Sequence, residues 1–191
     1  MKKTKIVCCF PFFALCVIFF TLGAGENFLC AIVFSLLHEA GHLGAMYCFG
    51  AVPECITIGV MGIKIEKYEL SLKLSEECIT ALCGPVVNLI FAVIFFFKDA
   101  SSVAFAANTG LFVINMLPVR TLDGGRFLFN FICLAKNEVT AQKVISVLEM
   151  LTVIFLVCVM LFTLFNGVFN ESFVMFTLIL TAVILFDNFN K

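Results

Sequence analysis

Three residues carry the densest chemistry in the chain. His38, Glu39 and His42 stand in the run His38-Glu39-Ala40-Gly41-His42, and the two histidines are the only ones present. On an α-helix, residues four apart share a face and lie ~6 Å apart along the axis. Two imidazoles so spaced can close on one metal ion, each through a neutral ring nitrogen. Glu39, beside the first of them, is placed to act as a general base toward water at that ion. The other reading is a polar patch that joins helices by hydrogen bonds. The setting sharpens the choice, because the motif lies inside an apolar run from Phe28 to Phe49. An ionisable side chain in a membrane span costs at least ~2.5 kcal/mol on insertion scales. Three of them within little more than one turn need a shared reason, and a metal supplies one by accepting the ring lone pairs.

A catalytic metal needs a third protein ligand and an open position. No third histidine is available. Asp123 is the best carboxylate, in Asn115-Met116-Leu117-Pro118-Val119-Arg120-Thr121-Leu122-Asp123-Gly124-Gly125-Arg126. Asp-Gly-Gly alone reads as a turn, but this one follows a short apolar run broken by Pro118. Glu149 is the rival; as an interfacial carboxylate near Lys143 it needs no metal to explain it. Gly84-Pro85-Val86-Val87-Asn88 has a structural reading first, since glycine lets helices approach and proline frees a carbonyl. Asn88 and Asn115 either bind a substrate backbone or link helices.

The elements around these residues belong to a membrane protein. Of 191 residues 62% are hydrophobic, whereas a soluble domain is about half apolar, and mean hydropathy is +1.14. Twenty-five phenylalanines suit a lipid-facing surface, although there is no tryptophan for an interfacial belt. A formal net charge of −1 gives no reason to expect nucleic acid as a partner. The ten cysteines are scattered singly apart from Cys8-Cys9, so they read as small apolar residues rather than a disulfide framework.

The expected architecture is an all-α polytopic membrane protein with about six transmembrane helices and a small β-hairpin after the second. Residues 1–191 would form a single domain, with a catalytic core over about 28–135. Ile6 to Gly23 reads as a retained first span; a cleaved signal peptide is the alternative. Phe28 to Phe49 is the second. Val52 to Tyr68, with β-branched runs around glycines, reads as the hairpin, and Glu69 to Glu77 as a polar, helix-compatible connector. Cys78 to Phe97, Val103 to Leu117, Val144 to Phe165 and Phe173 to Phe186 are the remaining spans, with a membrane-facing helix over Phe127 to Leu134. With a cytoplasmic N-terminus, Lys2, Lys3, Lys5, Lys64, Lys67, Lys73, Arg120, Arg126, Lys136, Lys143 and Lys191 all fall inside and only Lys98 outside. The positive-inside rule therefore expects both termini in the cytoplasm.

Taken together, HEAGH on an early span, CGPVVN on the next and NMLPVRTLDGGR on the one after resemble the three signatures of the site-2 protease family of intramembrane zinc metalloproteases. The layout without an inserted PDZ domain is similar to the sporulation-type, SpoIVFB-like branch, and there is no segment for a CBS domain. The resemblance implies one Zn2+ ion held by His38, His42 and Asp123, with Glu39 as catalytic base. It implies a protein substrate in or at the lipid bilayer, such as a sigma-factor precursor or another regulator, and possible regulatory membrane proteins as partners. Met46 stands where alanine is usual, Val60-Met61-Gly62 replaces a Pro-Phe-Gly-like stretch, and Thr121 replaces a frequent proline. Those departures touch substrate handling more than the metal.

The sequence thus points to an intramembrane endopeptidase. A catalytically silent zinc-binding scaffold is one alternative, against which the intact Glu39 argues. A metal transporter is another; it would need a polar path that the fifth and sixth spans hardly offer.

Overall fold

A computed structural model describes residues 5–8, 25–51, 53–59, 62–67 and 72–167, with isolated helical positions between 174 and 184. Internal contacts group the chain into two compact units, Met1–Met116 and Leu117–Lys191. The first holds β1 (Lys5–Cys8), α1 (Gly25–Cys48), β2 (Pro53–Gly59), β3 (Gly62–Lys67), α2 (Leu74–Asp99) and α3 (Val103–Asn115). The second holds α4 (Asp123–Ala135) and α5 (Glu138–Phe165).

In the first unit α1 packs on α2 and α3, and α2 packs on α3. Helix α1 ends through Gly50, whose φ of +73° suits a residue without a β-carbon. The Ala51 N–H then returns to the Met46 carbonyl at 2.9 Å, and Met46, Ala51 and Leu72 close a small apolar cluster over the helix end. Gly41 brings α1 against α2: a β-carbon there would lie 2.8 Å from the Cys83 carbonyl oxygen and 2.9 Å from Val87 Cγ2. Phe34 continues the seam toward Phe91 and Phe95, with ring centroids 5.3 and 5.7 Å away. The pairing of low numbers on α1 with high numbers on α2 makes the two helices antiparallel. Helix α2 starts four residues before its apolar run. There the Glu76 side chain reaches back to accept the Lys73 N–H at 2.9 Å, tying down one of the unpaired donors of the first turn.

The three strands form one sheet in the order β1-β2-β3. β2 and β3 are antiparallel, with Ile58 opposite Ile63, and β1 is parallel to β2, with Lys5 opposite Cys55 and Cys8 opposite Ile58. The helix expected from Ile6 is thereby corrected at its start. Residues 5–8 are extended, as suits β-branched Ile6 and Val7, and they take the edge of β2 that β3 leaves. The rest of that expected span lies outside the described residues, as does most of the span expected over Phe173–Phe186.

In the second unit α4 packs on α5. Asn137 caps α5 by accepting the Thr140 N–H at 2.8 Å. Val119 is fully buried with Leu156, Leu180 and Ile184, which anchors the turn before α4 in an apolar cluster. Much of α5 that points outward is apolar along its length, including Val147, Ile154, Phe155, Phe162 and Phe165. Water would not tolerate a surface of that extent, whereas lipid does.

Among the described residues three helices are long and apolar enough to cross a bilayer: Leu29–Cys48, Leu74–Asp99 and Glu138–Phe165. At 1.5 Å per residue the shortest of them reaches ~30 Å, the thickness of the hydrocarbon core. The chain is a membrane protein. Helix α3, with 13 residues, is shorter than a span.

Candidate metal centre

His38 and His42 sit one turn apart on the face of α1 that meets α2, and both are buried. Opposite them α2 presents Thr80, Gly84 and Asn88, again at intervals of four, all buried. Their Nε2 atoms are 3.1 Å apart. The far nitrogen of each ring is held by α2: His42 Nδ1 donates to the Thr80 carbonyl oxygen at 2.7 Å, and His38 Nδ1 lies 2.8 Å from the Asn88 amide. A carbonyl can only accept, so the His42 proton resides on Nδ1 and its Nε2 offers a lone pair. Asn88 Oδ1 is buried with no hydrogen-bond partner among the described residues. Turning that amide over places Oδ1 at His38 Nδ1, gives the oxygen its partner and leaves a second lone pair on His38 Nε2. Both lone pairs then converge on one space.

That space is kept open by Gly84. A β-carbon on it would lie 2.3 Å from His42 Nε2 and 2.7 Å from His38 Nε2. The donor set fits a divalent metal: two imidazoles, each oriented through its other nitrogen, with their Nε2 atoms turned toward one another. Pro85 follows directly; it cannot return an N–H to the carbonyl four residues back, which loosens the helix ladder at this turn. Glu39 is half-buried on α1, next to His38.

The second unit carries Asp123, which is buried and is the first residue of α4. The sequence suggested a turn here and a helix from Phe127. In the structure Asp-Gly-Gly forms the opening of the helix itself, where a carboxylate is favoured by the helix dipole. Arg126 Nη1 lies 3.8 Å from Asp123 Oδ1. Gly125 is required by packing, since a β-carbon would lie 2.0 Å from the Val119 carbonyl oxygen. Glu149 differs from the interfacial group the sequence suggested: it is 2% exposed, and its Oε1 accepts the Arg120 backbone N–H at 2.9 Å. Asn115, the last residue of α3, is half-buried and donates to the Leu111 carbonyl of its own helix at 3.0 Å.

Sequence reasoning singled out the histidines for a metal, Gly84 for helix approach and Asn88 for substrate or helix contact, but not the part of Thr80. Its contribution is a backbone carbonyl, which leaves no mark in residue type. The cysteines whose side chains are described are free thiols, including Cys78 and Cys83 on α2.

No protein-family model matches the chain. No curated protein matches it either. Among solved structures it is similar to a site-2 protease from Methanocaldococcus jannaschii, with a TM-score of 0.66, 18% identity, and coverage of 94% of this chain and 88% of that one. The likeness shows a fold shared with that structure over nearly the whole chain. It does not single out the sporulation-type branch.

Proposed function

We propose that the protein is an intramembrane zinc endopeptidase that cuts a protein substrate in or at the membrane. The observation that carries this reading is the pair of oriented imidazoles whose Nε2 atoms face the space left by Gly84. The fold likeness to a site-2 protease supports it. His38 and His42 would hold the ion, and Asp123 is our choice of third ligand. That assignment rests on the missing third histidine and on the resemblance of the LDGG stretch. We assign Asn88 to the orientation of His38 rather than to substrate. Asn115 remains the candidate for substrate, where its side-chain oxygen could accept a peptide N–H. Both units would then serve one catalytic domain.

When bound, zinc supplies a Lewis acid that polarises a peptide carbonyl and makes water acidic near neutral pH. Glu39 takes the proton of the attacking water and delivers it to the leaving amine. His38 and His42 stay neutral and fixed through the Asn88 and Thr80 oxygens. A helical substrate hides its carbonyls, so it must be drawn out locally. Strand addition at β3, a rim strand of the sheet, is a route to that, because β2 is already paired on both sides.

The lysine and arginine distribution supports a cytoplasmic position for both termini. β1 and β2 are hydrogen-bonded neighbours, so the N-terminal residues and the segment after α1 share one side. His42 lies six residues before Cys48 at the end of α1, ~9 Å along the axis. Cleavage would then fall in the cytoplasmic third of a ~30 Å hydrocarbon core and release product to the cytosol. A sigma-factor precursor or another membrane-bound regulator is the class of substrate this suits.

Co-expression of candidate membrane substrates with wild type and Glu39→Gln tests the reading. The variant should keep its zinc and yield no shortened product on immunoblots, since an amide cannot act as base. Normal cleavage by Glu39→Gln ends this mechanism.

A further inference from the structure

Helix α5 is apolar over most of its 28 residues, yet Glu149 is buried in it. An ionisable side chain at such a place is costly and needs a task. The proposed chemistry gives it none. Its surroundings in the second unit do.

Glu149 Oε1 accepts the backbone N–H of Arg120 at 2.9 Å, and Oε2 has no hydrogen-bond partner among the described residues. Arg120 lies in the turn that delivers Asp123 to the start of α4. That turn is fixed from several sides. Val119 is fully buried, and the Leu122 N–H returns to its carbonyl at 2.8 Å. Gly125 leaves no room for a β-carbon against that same carbonyl. The Arg120 guanidinium donates to Gln142 Oε1 on α5 and lies 4.3 Å over the centre of the Phe129 ring on α4. Every one of these contacts pins side chains or the neighbouring peptide. The Arg120 N–H is a backbone donor of the turn given to a side chain on another element, and Glu149 receives it.

We propose that Glu149 is a positioning residue: by holding the Arg120 N–H it fixes the Val119–Gly125 turn, and through the turn it fixes the direction of the Asp123 carboxylate. The proposal rests on the reading of Asp123 as a metal ligand. It assigns Glu149 a hydrogen-bonding part and excludes it as the ligand itself. What matters is an acceptor oxygen at the Oε1 position, not the charge. Glutamine supplies that oxygen, and its amide nitrogen occupies the place of Oε2. Methionine fills a similar volume and suits an apolar helix, but offers no acceptor to a backbone N–H.

The test is zinc affinity of the full chain in detergent, measured by competition with a chelating dye, together with the visible spectrum of the Co2+-substituted protein. Wild type, Glu149→Gln, Glu149→Met and Asp123→Ala are compared. Glu149→Gln should match wild type in both readouts. Glu149→Met should bind zinc about 10-fold more weakly, at the lower end of what outer-shell changes cost, with a shifted cobalt spectrum. Unchanged affinity and spectrum in Glu149→Met overturn the proposal. So does a loss in Glu149→Gln as large as that in Asp123→Ala, because charge or direct ligation would then be the cause. Glu149→Gln decides that point even where Glu149→Met does not fold. Asp123→Ala keeps the two ideas apart. If it leaves zinc affinity untouched, the ligand assignment fails. If it empties the site while Glu149→Met does not weaken it, only the positioning role fails.

Discussion

The α1–α2 seam and the turn before α4 each present buried polar side chains, but they hold them by different means. On the seam everything follows helical period. His38 and His42 on one helix meet Thr80, Gly84 and Asn88 on the other, all at intervals of four. There the ring nitrogens are held by one side chain, Asn88, and one helical carbonyl, that of Thr80. In the turn the backbone does the orienting. Val119 is buried, Gly125 lies against its carbonyl, and Glu149 ties Arg120, so that Asp123 starts a helix in a set direction. A periodic site tolerates loss of one partner while its helices stand. A turn closed by backbone contacts does not.

Alanine at the two glycines should expose this contrast, and the turn should suffer most. In Gly125→Ala the new methyl would lie 2.0 Å from a backbone oxygen, with no flexible side chain to yield. Overpacking in a core costs about 1–3 kcal/mol and sometimes more, and a clash with backbone belongs at the upper end. Thermal unfolding in detergent should show the loss of stability. A Gly125→Ala variant as stable as wild type would mean that the turn can open at little cost. Gly84→Ala should leave the fold intact, because the atoms nearest its methyl are imidazole atoms at 2.3 and 2.7 Å, which can swing. It should nevertheless lose metal, by more than the roughly 10–100-fold of outer-shell changes, since the methyl displaces both ring nitrogens that would hold the ion. Elemental analysis of the purified protein reads this directly. Full zinc in Gly84→Ala would place the metal elsewhere.

The same contrast explains what the sequence could reveal. The shared face of His38 and His42 was legible because helical spacing converts directly into it; Gly84 and Asn88 stood out by residue type alone. Strands β2 and β3 lie where glycine-flanked β-branched runs suggested extended chain, and α1, α2 and α5 follow their apolar runs to within a few residues. β1 was not legible. Four residues at the head of an apolar run look like helix until a neighbouring strand offers an edge, and that edge is set by pairing distant in sequence. The start of α4 was misread for a related reason: Asp-Gly-Gly is turn chemistry locally, and the close approach of Val119 that requires a glycine at 125 lies outside that local pattern. Glu149 was placed at the membrane interface because nothing near it in sequence announces the Arg120 N–H, 29 residues away. Burial by tertiary contact, unlike period, leaves no local trace.

The smallest expected effect is at Asn88, and it decides between the two tasks that sequence left open for it. If the amide orients His38, removing it frees one ring while Thr80 still holds the other, so the site weakens without emptying. Asn88→Ala should therefore bind zinc about 10-fold less tightly, with the fold kept. Nitrogen chemical shifts of the histidine rings supply a second readout. In metal-free wild type, His38 should carry its proton on Nδ1, because the Asn88 oxygen faces that atom. In Asn88→Ala that preference should be lost, while His42, against the Thr80 carbonyl, keeps its own. Were Asn88 instead a substrate group, the same variant would hold zinc normally, show unchanged ring shifts and raise only KM. That outcome would leave the orientation of His38 to the metal alone and reduce the seam to a single anchor, the Thr80 carbonyl at His42.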